Sequence, residues 1–188
     1  MIYEFCAENV TLLEKAMQAG ARRIELCDNL AVGGTTPSYG VTKAAVELAA
    51  DYDTTIMTMI RPRGGDFVYN DLEISIMLDD IRLTAQAGSQ GVVFGALTAD
   101  KKLDKANLEK LIDASKGMEV VFHMAFDDLS HEDQLEAIDW LSQAGVTRIL
   151  TRAGVSGDSL EKRFAHYRRI LEHAAGTVSY THLRAHET

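Results

Sequence analysis

Two short copies of Glu-x-Cys stand near the start of the chain, the first ending at Cys6 and the second at Cys27. Each copy lies in a short apolar run that predicts a strand, so Glu4 shares a face with Cys6, and Glu25 shares a face with Cys27. Neighbouring parallel strands lie about 4.8 Å apart, which would bring the two thiols within reach of each other. Two thiolates suit a soft metal ion, with Cu(I) and Zn(II) as candidates. The alternative is that both cysteines pack as small hydrophobic residues.

The stretch RPRGGDF, residues 61–67, follows a predicted buried strand and carries two arginines. The guanidinium groups of Arg61 and Arg63 present planar pairs of donors, and Gly64 and Gly65 can expose backbone N–H groups. These features predict a site for a phosphate or a carboxylate. The structural alternative is that the arginines neutralise the two glutamates of the Glu-x-Cys copies, since a buried carboxylate is costly without a partner.

A histidine and an aspartate follow the fifth predicted strand, at His123 and Asp127. Together with Glu4 and Glu25 they are candidate catalytic residues that could move protons at the mouth of a barrel. None of the lysines falls at a predicted strand end, which disfavours a Schiff-base aldolase. The sequence also lacks a GxSxG elbow, an HExxH motif and a Walker loop.

Composition limits the kind of partner. The 188 residues are enough for one domain with a sizeable core. The formal net charge of −9 disfavours nucleic acid or an anionic membrane as a general partner. No apolar run approaches the ~20 residues of a membrane span, and the first residues do not resemble a signal peptide. We therefore expect a cytoplasmic protein with reduced thiols.

Six repeats of a strand followed by a helix would position these residues. The predicted strands lie near residues 2–6, 22–27, 54–61, 91–95, 119–124 and 147–151. The predicted helices lie near residues 9–19, 38–51, 71–87, 104–115, 131–144 and 158–174. Continuous apolar strands that alternate with helices indicate a parallel sheet covered by helices.

The junctions between these elements repeat a pattern. AGARRIELC, AGSQGVVFG and AGVTRILTR share an Ala-Gly, a short link and an apolar run, and KGMEVVFHM is a looser copy. The pattern predicts a helix that ends with a left-handed glycine and a buried strand that then begins. Asn70 with Glu73 resembles a capping box, and Thr36 before a proline suits an N-cap. The short repeat and the polar strand ends favour a (β/α)₈ TIM barrel, present as six of eight units, over an open doubly wound sheet.

Taken in order, four stretches resemble the CutC family of copper homeostasis proteins: EFCAEN, RRIELCDN followed by GGTTPSYG, RPRGGDF, and FHMAFD. The resemblance implies a (β/α)₈ barrel, a cytoplasmic location and Cu(I) bound through Cys6 and Cys27, with no organic cofactor. It also implies a polar mouth formed by Glu4, Glu25, Arg61, Arg63, His123 and Asp127. The family usually reads FHRAFD, so Met124 stands here where the family has an arginine.

Two functions follow as hypotheses. The first is a copper homeostasis protein that binds Cu(I) through Cys6 and Cys27, with Met57 or Met59 nearby. The alternative is a barrel enzyme that acts on a small phosphorylated or carboxylated metabolite. Arg61 and Arg63 would hold the anion of that metabolite. A barrel with no activity of its own is a third reading, and the full-length protein could be a homo-oligomer.

The last residues, 177–188, do not continue the strand and helix pattern. The run from Val178 to Glu187 resembles the translation of a transposase adapter used in sequencing libraries. We therefore expect residues 1–176 to be a partial barrel domain, followed by a non-native tail. The chain would then be a truncated fragment that lacks strands 7 and 8 of the barrel. The two histidines of the tail, His182 and His186, would form no metal site.

This expectation can be tested on the gene itself. We expect genomic reads from an adapter-free library to depart from this sequence after about Gly176 and to continue the barrel pattern. Reads that run through Thr188 to a stop codon would contradict it.

Overall fold

The computed structural model describes residues 2–154, 158–174 and 181–182. Parallel strands follow one another in sequence order through a single curled sheet. The strands are Glu4–Glu8 (β1), Arg23–Cys27 (β2), Thr55–Met59 (β3), Gly91–Phe94 (β4), Glu119–Phe122 (β5), Arg148–Leu150 (β6) and Thr181–His182 (β7). The α-helices are Leu13–Gln18 (α1), Tyr39–Ala49 (α2), Asp71–Gln86 (α3), Lys105–Ala114 (α4), His131–Gln143 (α5) and Leu160–Ala174 (α6). The predicted α/β fold, an incomplete TIM barrel, is confirmed.

The six predicted βα units are present, and most of their limits agree within about two residues. The first unit differs most, because β1 extends to Glu8 and α1 begins only at Leu13. Parallel pairing continues past the predicted strand end: Glu8 lies opposite Cys27, and the Asn9 amide donates to the Cys27 carbonyl at 2.9 Å. No helix among the described residues is long and apolar enough to cross a bilayer.

A seventh strand of two residues was not predicted. The backbone of Thr181–His182 (β7) pairs in parallel with β6, where Ile149 lies opposite Thr181. The prediction that the chain lacks strand 7 therefore needs correction at these two positions. Residues 177–180 and 183–188 of the predicted tail, with His186 among them, lie outside the described residues.

Left-handed glycines end the helices as the repeated junction pattern predicts. Gly20, Gly88, Gly117 and Gly145 have φ values of 100°, 88°, 92° and 90°. A residue with a Cβ is strained in this conformation, so glycine is the residue that lets each helix stop and each strand begin within a few positions.

The side-chain alternation of the strands builds two separate apolar layers. Ile24, Leu26 and Ile56 pack outward with residues of α1 and α2 such as Leu13 and Ala45. The intervening side chains form a second buried cluster on the inner face of the sheet. This inner cluster contains Cys27, Met57, Met59, Val93 and Val121, with Cys6, Leu30 and Leu150 packed against it. The inner cluster therefore surrounds the cysteines with apolar and thioether groups.

Helix starts agree with the sequence at one predicted cap and differ at the other. Asn70 and Glu73 form the predicted capping box, each side chain accepting the other's backbone N–H, at 3.0 and 2.9 Å. The N-cap of α2 is Ser38, so the prediction of Thr36 was wrong. Thr36 instead exchanges two hydrogen bonds with the backbone of Arg61, at 2.9 and 3.0 Å. That pairing draws Thr36 to the end of β3 and away from the helix.

Gly91, the first residue of β4, leaves the space that Met57 occupies. An ideal Cβ at Gly91 would overlap the Met57 side chain and lie 2.7 Å from the carbonyl oxygen of Glu119. We expect Gly91→Ala to lower the free energy of unfolding by about 2 kcal/mol, because overpacking forces backbone and side chains to shift. Urea denaturation measures the change.

Gly40→Ala is the matched control for this substitution. Gly40 lies in α2, and the nearest atom to its ideal Cβ is 3.9 Å away. Alanine in a helix is favoured over glycine by roughly 0.5–1 kcal/mol, so this variant should be as stable as the wild type or slightly more stable. Equal destabilisation by both substitutions would contradict the close packing at Gly91.

Candidate metal centre

The register between β1 and β2 brings Cys6, Glu25 and Cys27 together. Cys6 lies directly opposite Glu25, while Cys27 lies opposite Glu8. Residues two apart on a strand face the same side, so Glu25 and Cys27 point to the inner face with Cys6. The approach of the two thiols that the Glu-x-Cys repeat predicts is therefore present.

One oxygen of Glu25 lies close to both thiols. The Oε1 atom is 3.9 Å from Cys6 Sγ and 3.7 Å from Cys27 Sγ. One ligand atom from each of the three residues lies within 4.8 Å of the others. Cys27 is fully buried, Glu25 is 7% exposed and Cys6 is half-buried. Across the described ranges, this is the one group of three or more His, Cys, Asp or Glu residues spaced to hold a metal ion.

The arrangement offers two soft sulfurs and one carboxylate oxygen to a single ion. A thiol binds metal as a thiolate, so binding would release the protons of Cys6 and Cys27. Thiolate and thioether ligands select soft ions such as Cu(I) and Zn(II). Met57 and Met59 lie in the same buried cluster as Cys27. The sequence predicted proton transfer for Glu25, and its position beside both thiols makes it a candidate ligand as well.

The guanidinium of Arg61 donates hydrogen bonds to backbone carbonyls of two different loops. Its Nη1 atom donates to Val32 and Gly34 at 2.8 and 3.0 Å, and its Nη2 atom donates to Gly65 at 2.7 Å. The residue is 4% exposed. These bonds tie the loop after β2 to the loop after β3. Neither interpretation of Arg61 from the sequence included them.

The loop held by Arg61 lies against one of the thiols. An ideal Cβ at Gly34 would be 3.0 Å from Cys27 Sγ, so a side chain there would press on the sulfur. Gly34 also has a left-handed φ of 90°. Both facts favour glycine at this position. Arg61 therefore fixes the backbone that covers Cys27.

Arg63 bonds to the start of α3. Its Nε atom donates to Glu73 Oε1 at 2.5 Å, and its Nη1 atom lies 3.0 Å from Asp66 Oδ1. The Glu73 hydrogen bond raises the pKa of Arg63 and lowers the pKa of Glu73. The guanidinium also lies 5.4 Å from the centre of the Tyr69 ring. Arg63 therefore stabilises its own loop against the helix that follows.

Gly64 and Gly65 have packing roles in the same loop. An ideal Cβ at Gly64 would lie 2.7 Å from the Cβ of Val32, so the two loops touch at this glycine. Gly65 has a left-handed φ of 87°, and its carbonyl accepts the bond from Arg61. The anion-binding role predicted for both glycines stays a prediction.

His123 is a buried neutral imidazole. Burial lowers its pKa to about 3, and the positive charge of Arg61 acts in the same direction. Its Nδ1 atom accepts a hydrogen bond from the Ala125 amide at 3.2 Å. A base with so low a pKa accepts protons weakly near pH 7, so the environment gives no support to the predicted proton transfer by His123.

Asp127 holds the chain that leaves β6. Thr151 Oγ1 donates to one carboxylate oxygen at 2.5 Å, and the Arg152 amide donates to the other at 2.8 Å. Burial raises the pKa of Asp127, although both hydrogen bonds act to lower it. These contacts give the Asp127 carboxylate a structural role. Its catalytic role remains a prediction.

Glu4 lies at the opposite end of the sheet from the strand exits. It is the first residue of β1, and its carboxylate lies 3.3 Å from Arg23 Nη1. The prediction that Glu4 lies at the barrel mouth was wrong because strand 1 was expected to end at Cys6. The mouth carboxylate of β1 is Glu8, which accepts a 2.6 Å hydrogen bond from the Leu30 amide.

Three residues that the sequence did not assign to the site shape the mouth. The ring of Phe67 lies 4.9 Å from the Arg61 guanidinium carbon and 4.7 Å from the centre of the His123 ring. Gly34 covers Cys27, and Glu73 anchors Arg63. Phe67 and Gly34 both belong to stretches that resemble the family, so these motifs could have identified them as site residues. Glu73 was recognised for its cap alone.

Comparison with known proteins gives a consistent result. The family model described as the CutC family matches residues 1–181. A family protein CutC of Enterococcus faecalis is 51% identical over 174 residues, which cover 93% of this chain and 83% of that relative. A family protein CutC of Streptococcus pyogenes is 53% identical over 151 residues, with 80% and 72% of the two chains covered.

Solved structures agree with the fold. The crystal structure of a CutC protein from Streptococcus agalactiae superposes with a TM-score of 0.90 at 44% identity, covering 95% of this chain and 85% of that one. An aldolase named QR15 superposes with a TM-score of 0.65 at 15% identity, covering 95% and 76%. At that identity the aldolase shares the fold alone.

The buried imidazole predicts a specific acid sensitivity. A histidine in the unfolded chain has a pKa near 6.5, whereas the pKa of His123 in the folded protein is about 3. As the pH falls below 6.5, the unfolded chain takes up a proton that the folded protein does not, so the folded state loses stability. His123→Asn keeps an acceptor for the Ala125 amide and removes the titration. Between pH 7 and pH 4 we expect the wild type to lose about 3 kcal/mol more stability than the variant, measured by urea unfolding. An identical pH dependence in both proteins would refute the assignment.

Proposed function

This chain belongs to the CutC family, and on that basis we propose that it binds Cu(I) through Cys6 and Cys27 as part of copper homeostasis. The observation that carries the proposal is the pair of thiols, one buried and one half-buried, beside the Glu25 carboxylate. The name of the Streptococcus agalactiae relative also assigns that protein, provisionally, to copper homeostasis.

The charges of the cluster favour different ligand sets for different ions. Cu(I) between the two thiolates leaves one net negative charge, so an ionised Glu25 would add a second in a buried site. The two thiolates alone are therefore the ligand set that suits Cu(I). Zn(II) carries one more positive charge and accepts carboxylate ligands, so it would use all three residues.

Cys6 and Cys27 form no disulfide, which the proposal requires. Reduced thiols persist in the cytoplasm, where disulfides are rare. A cytoplasmic location is therefore part of the proposed function, with the copper ion as the partner.

The alternative function, an enzyme that clamps a substrate anion between Arg61 and Arg63, has less support. Arg61 donates three hydrogen bonds to backbone carbonyls, and Arg63 pairs with Glu73 and Asp66. An anion held between the two guanidinium groups would have to compete with these contacts.

The copper proposal predicts that the cysteines and Glu25 contribute differently to the binding of Cu(I) and Zn(II). We expect Cys27→Ser and Cys6→Ser each to weaken Cu(I) binding by about tenfold or more, since a hydroxyl is a poor ligand for a soft ion. The double variant should lose the site. Glu25→Gln should bind Cu(I) nearly as tightly as the wild type but should weaken Zn(II) by about tenfold. Competition with a chromophoric chelator measures both ions under anaerobic conditions.

Glu4→Gln is the control for Glu25→Gln. It is the same change at a largely buried carboxylate that pairs with Arg23 at the other end of the sheet. It should leave the affinity for both ions unchanged. Unaltered Cu(I) affinity in the double cysteine variant would show that the thiols are not the copper site.

A further inference from the structure

Three buried polar atoms near the exits of β3 and β5 make no hydrogen bond of good geometry within the described part of the chain. They are Arg61 Nε, His123 Nε2 and the Tyr69 hydroxyl. Arg61 and His123 are each 4% exposed, and Tyr69 is 7% exposed. Leaving a buried donor unpaired costs about 1–3 kcal/mol, and native proteins pair the great majority of such groups. Three unpaired atoms at one end of the sheet therefore call for an explanation.

All three atoms can donate. The Nδ1 atom of His123 accepts from the Ala125 amide, which places the imidazole proton on Nε2. The Nε–H of Arg61 is a permanent donor on a charged group. Burial raises the pKa of Tyr69 to about 12, so its hydroxyl keeps its proton, although the charge of Arg61 and a side-chain hydrogen bond with Arg61 act to lower it. The group offers three donors and one positive charge.

The three side chains are neighbours. Phe67 lies 4.9 Å from the Arg61 guanidinium carbon and 4.7 Å from the centre of the His123 ring, so both pack on one aromatic ring. Tyr69 lies within hydrogen-bonding reach of the Arg61 side chain, so the guanidinium charge acts on its hydroxyl. Phe67 itself is only partly buried and belongs to the loop after β3. One half-exposed ring therefore packs against two of the three donor side chains.

Gly95 makes room at the same level of the sheet. It follows β4, between the exits of β3 and β5, and an ideal Cβ there would lie 2.7 Å from the His123 ring. A side chain at this position would displace the imidazole. The carboxyl ends of the strands are also the end at which barrel proteins bind small molecules.

We propose that Arg61 Nε, His123 Nε2 and the Tyr69 hydroxyl form a binding site for the carboxylate of a small organic acid, which enters when the Phe67 ring turns aside. The single positive charge matches one carboxylate. A phosphate dianion would leave one negative charge unmatched in a buried site. The site differs from an anion clamp between Arg61 and Arg63, because it uses the Arg61 atom that the loop carbonyls leave free. It is also independent of the metal cluster and of the copper proposal.

The test uses the full 188-residue chain labelled with ¹⁵N. Sodium acetate is titrated at constant ionic strength against sodium chloride, while NMR follows the His123 Nε2 and Arg61 Nε signals. We expect both signals to shift in a saturable way with acetate and to stay in place with chloride alone. A parallel titration with inorganic phosphate should show binding weaker by about tenfold or more, because of the unmatched charge.

Two substitutions remove single donors. Tyr69→Phe deletes one hydroxyl with little risk to folding, and His123→Asn keeps the bond to Ala125 while removing the Nε2 donor. Each should weaken acetate binding by about tenfold, the worth of one hydrogen bond to a charged group. The control Tyr39→Phe makes the same change at an exposed tyrosine and should bind acetate as the wild type does.

Removing the cover should have the opposite effect. Phe67→Ala uncovers the donors, so it should bind acetate more tightly than the wild type. The proposal is overturned if acetate produces no saturable shift, or if Tyr69→Phe binds acetate as tightly as Tyr39→Phe. Phosphate that binds more tightly than acetate would overturn the assignment to carboxylates.

Discussion

The guanidinium of Arg61 donates hydrogen bonds to carbonyls from two loops that are far apart in sequence, at Val32, Gly34 and Gly65. Backbone carbonyls in loops have no ladder partner, so a buried charged donor that satisfies three of them fixes the path of both segments. Thr36 adds two more bonds to the Arg61 backbone. The geometry around Cys27, the position of Phe67 and the surroundings of His123 all depend on this one side chain. This is what an acidic protein gains from an arginine at the end of a buried strand.

The metal cluster depends on a different constraint, the register of two parallel strands. Cys6 lies opposite Glu25 in this register. Side chains on one strand face the same side at every second residue, so Cys27 lies on the inner face next to both. A shift of one residue in either strand would turn one thiol toward the helices. At the other end of the sheet, ion pairs link neighbouring strands: Glu4 of β1 with Arg23 of β2, and Glu119 of β5 with Arg148 of β6.

Periodicity and glycine placement made most of the fold predictable. The order of strands and helices follows from apolar runs separated by left-handed glycines such as Gly20 and Gly145, since both are local properties of the chain. The meeting of the two thiols also followed, because register in a parallel pair is regular. The partners of Arg61 did not follow, because a backbone carbonyl leaves no trace in the sequence. The pairing of Arg63 with Glu73 did not follow either, because the sequence identified Glu73 only as a capping residue. Glu4 was assigned to the wrong end of β1, because the end of a strand is determined by its pairing with the neighbouring strand.

The position of Gly34 over the sulfur of Cys27 bears on how long an ion would stay. Cys27 is completely shielded, and the covering backbone is fastened by Arg61. On the Cys27 side an ion seated between the thiols would be shielded by this loop, while Cys6 on the other side is half-buried. Its residence time would therefore depend in part on how often the loop opens, as well as on the strength of its bonds to sulfur. Dioxygen and peroxide would meet the same barrier. A covering loop of this kind slows the release of an ion without strengthening its bonds to sulfur. Slow release can therefore be combined with modest affinity, which suits a protein that handles a reactive ion.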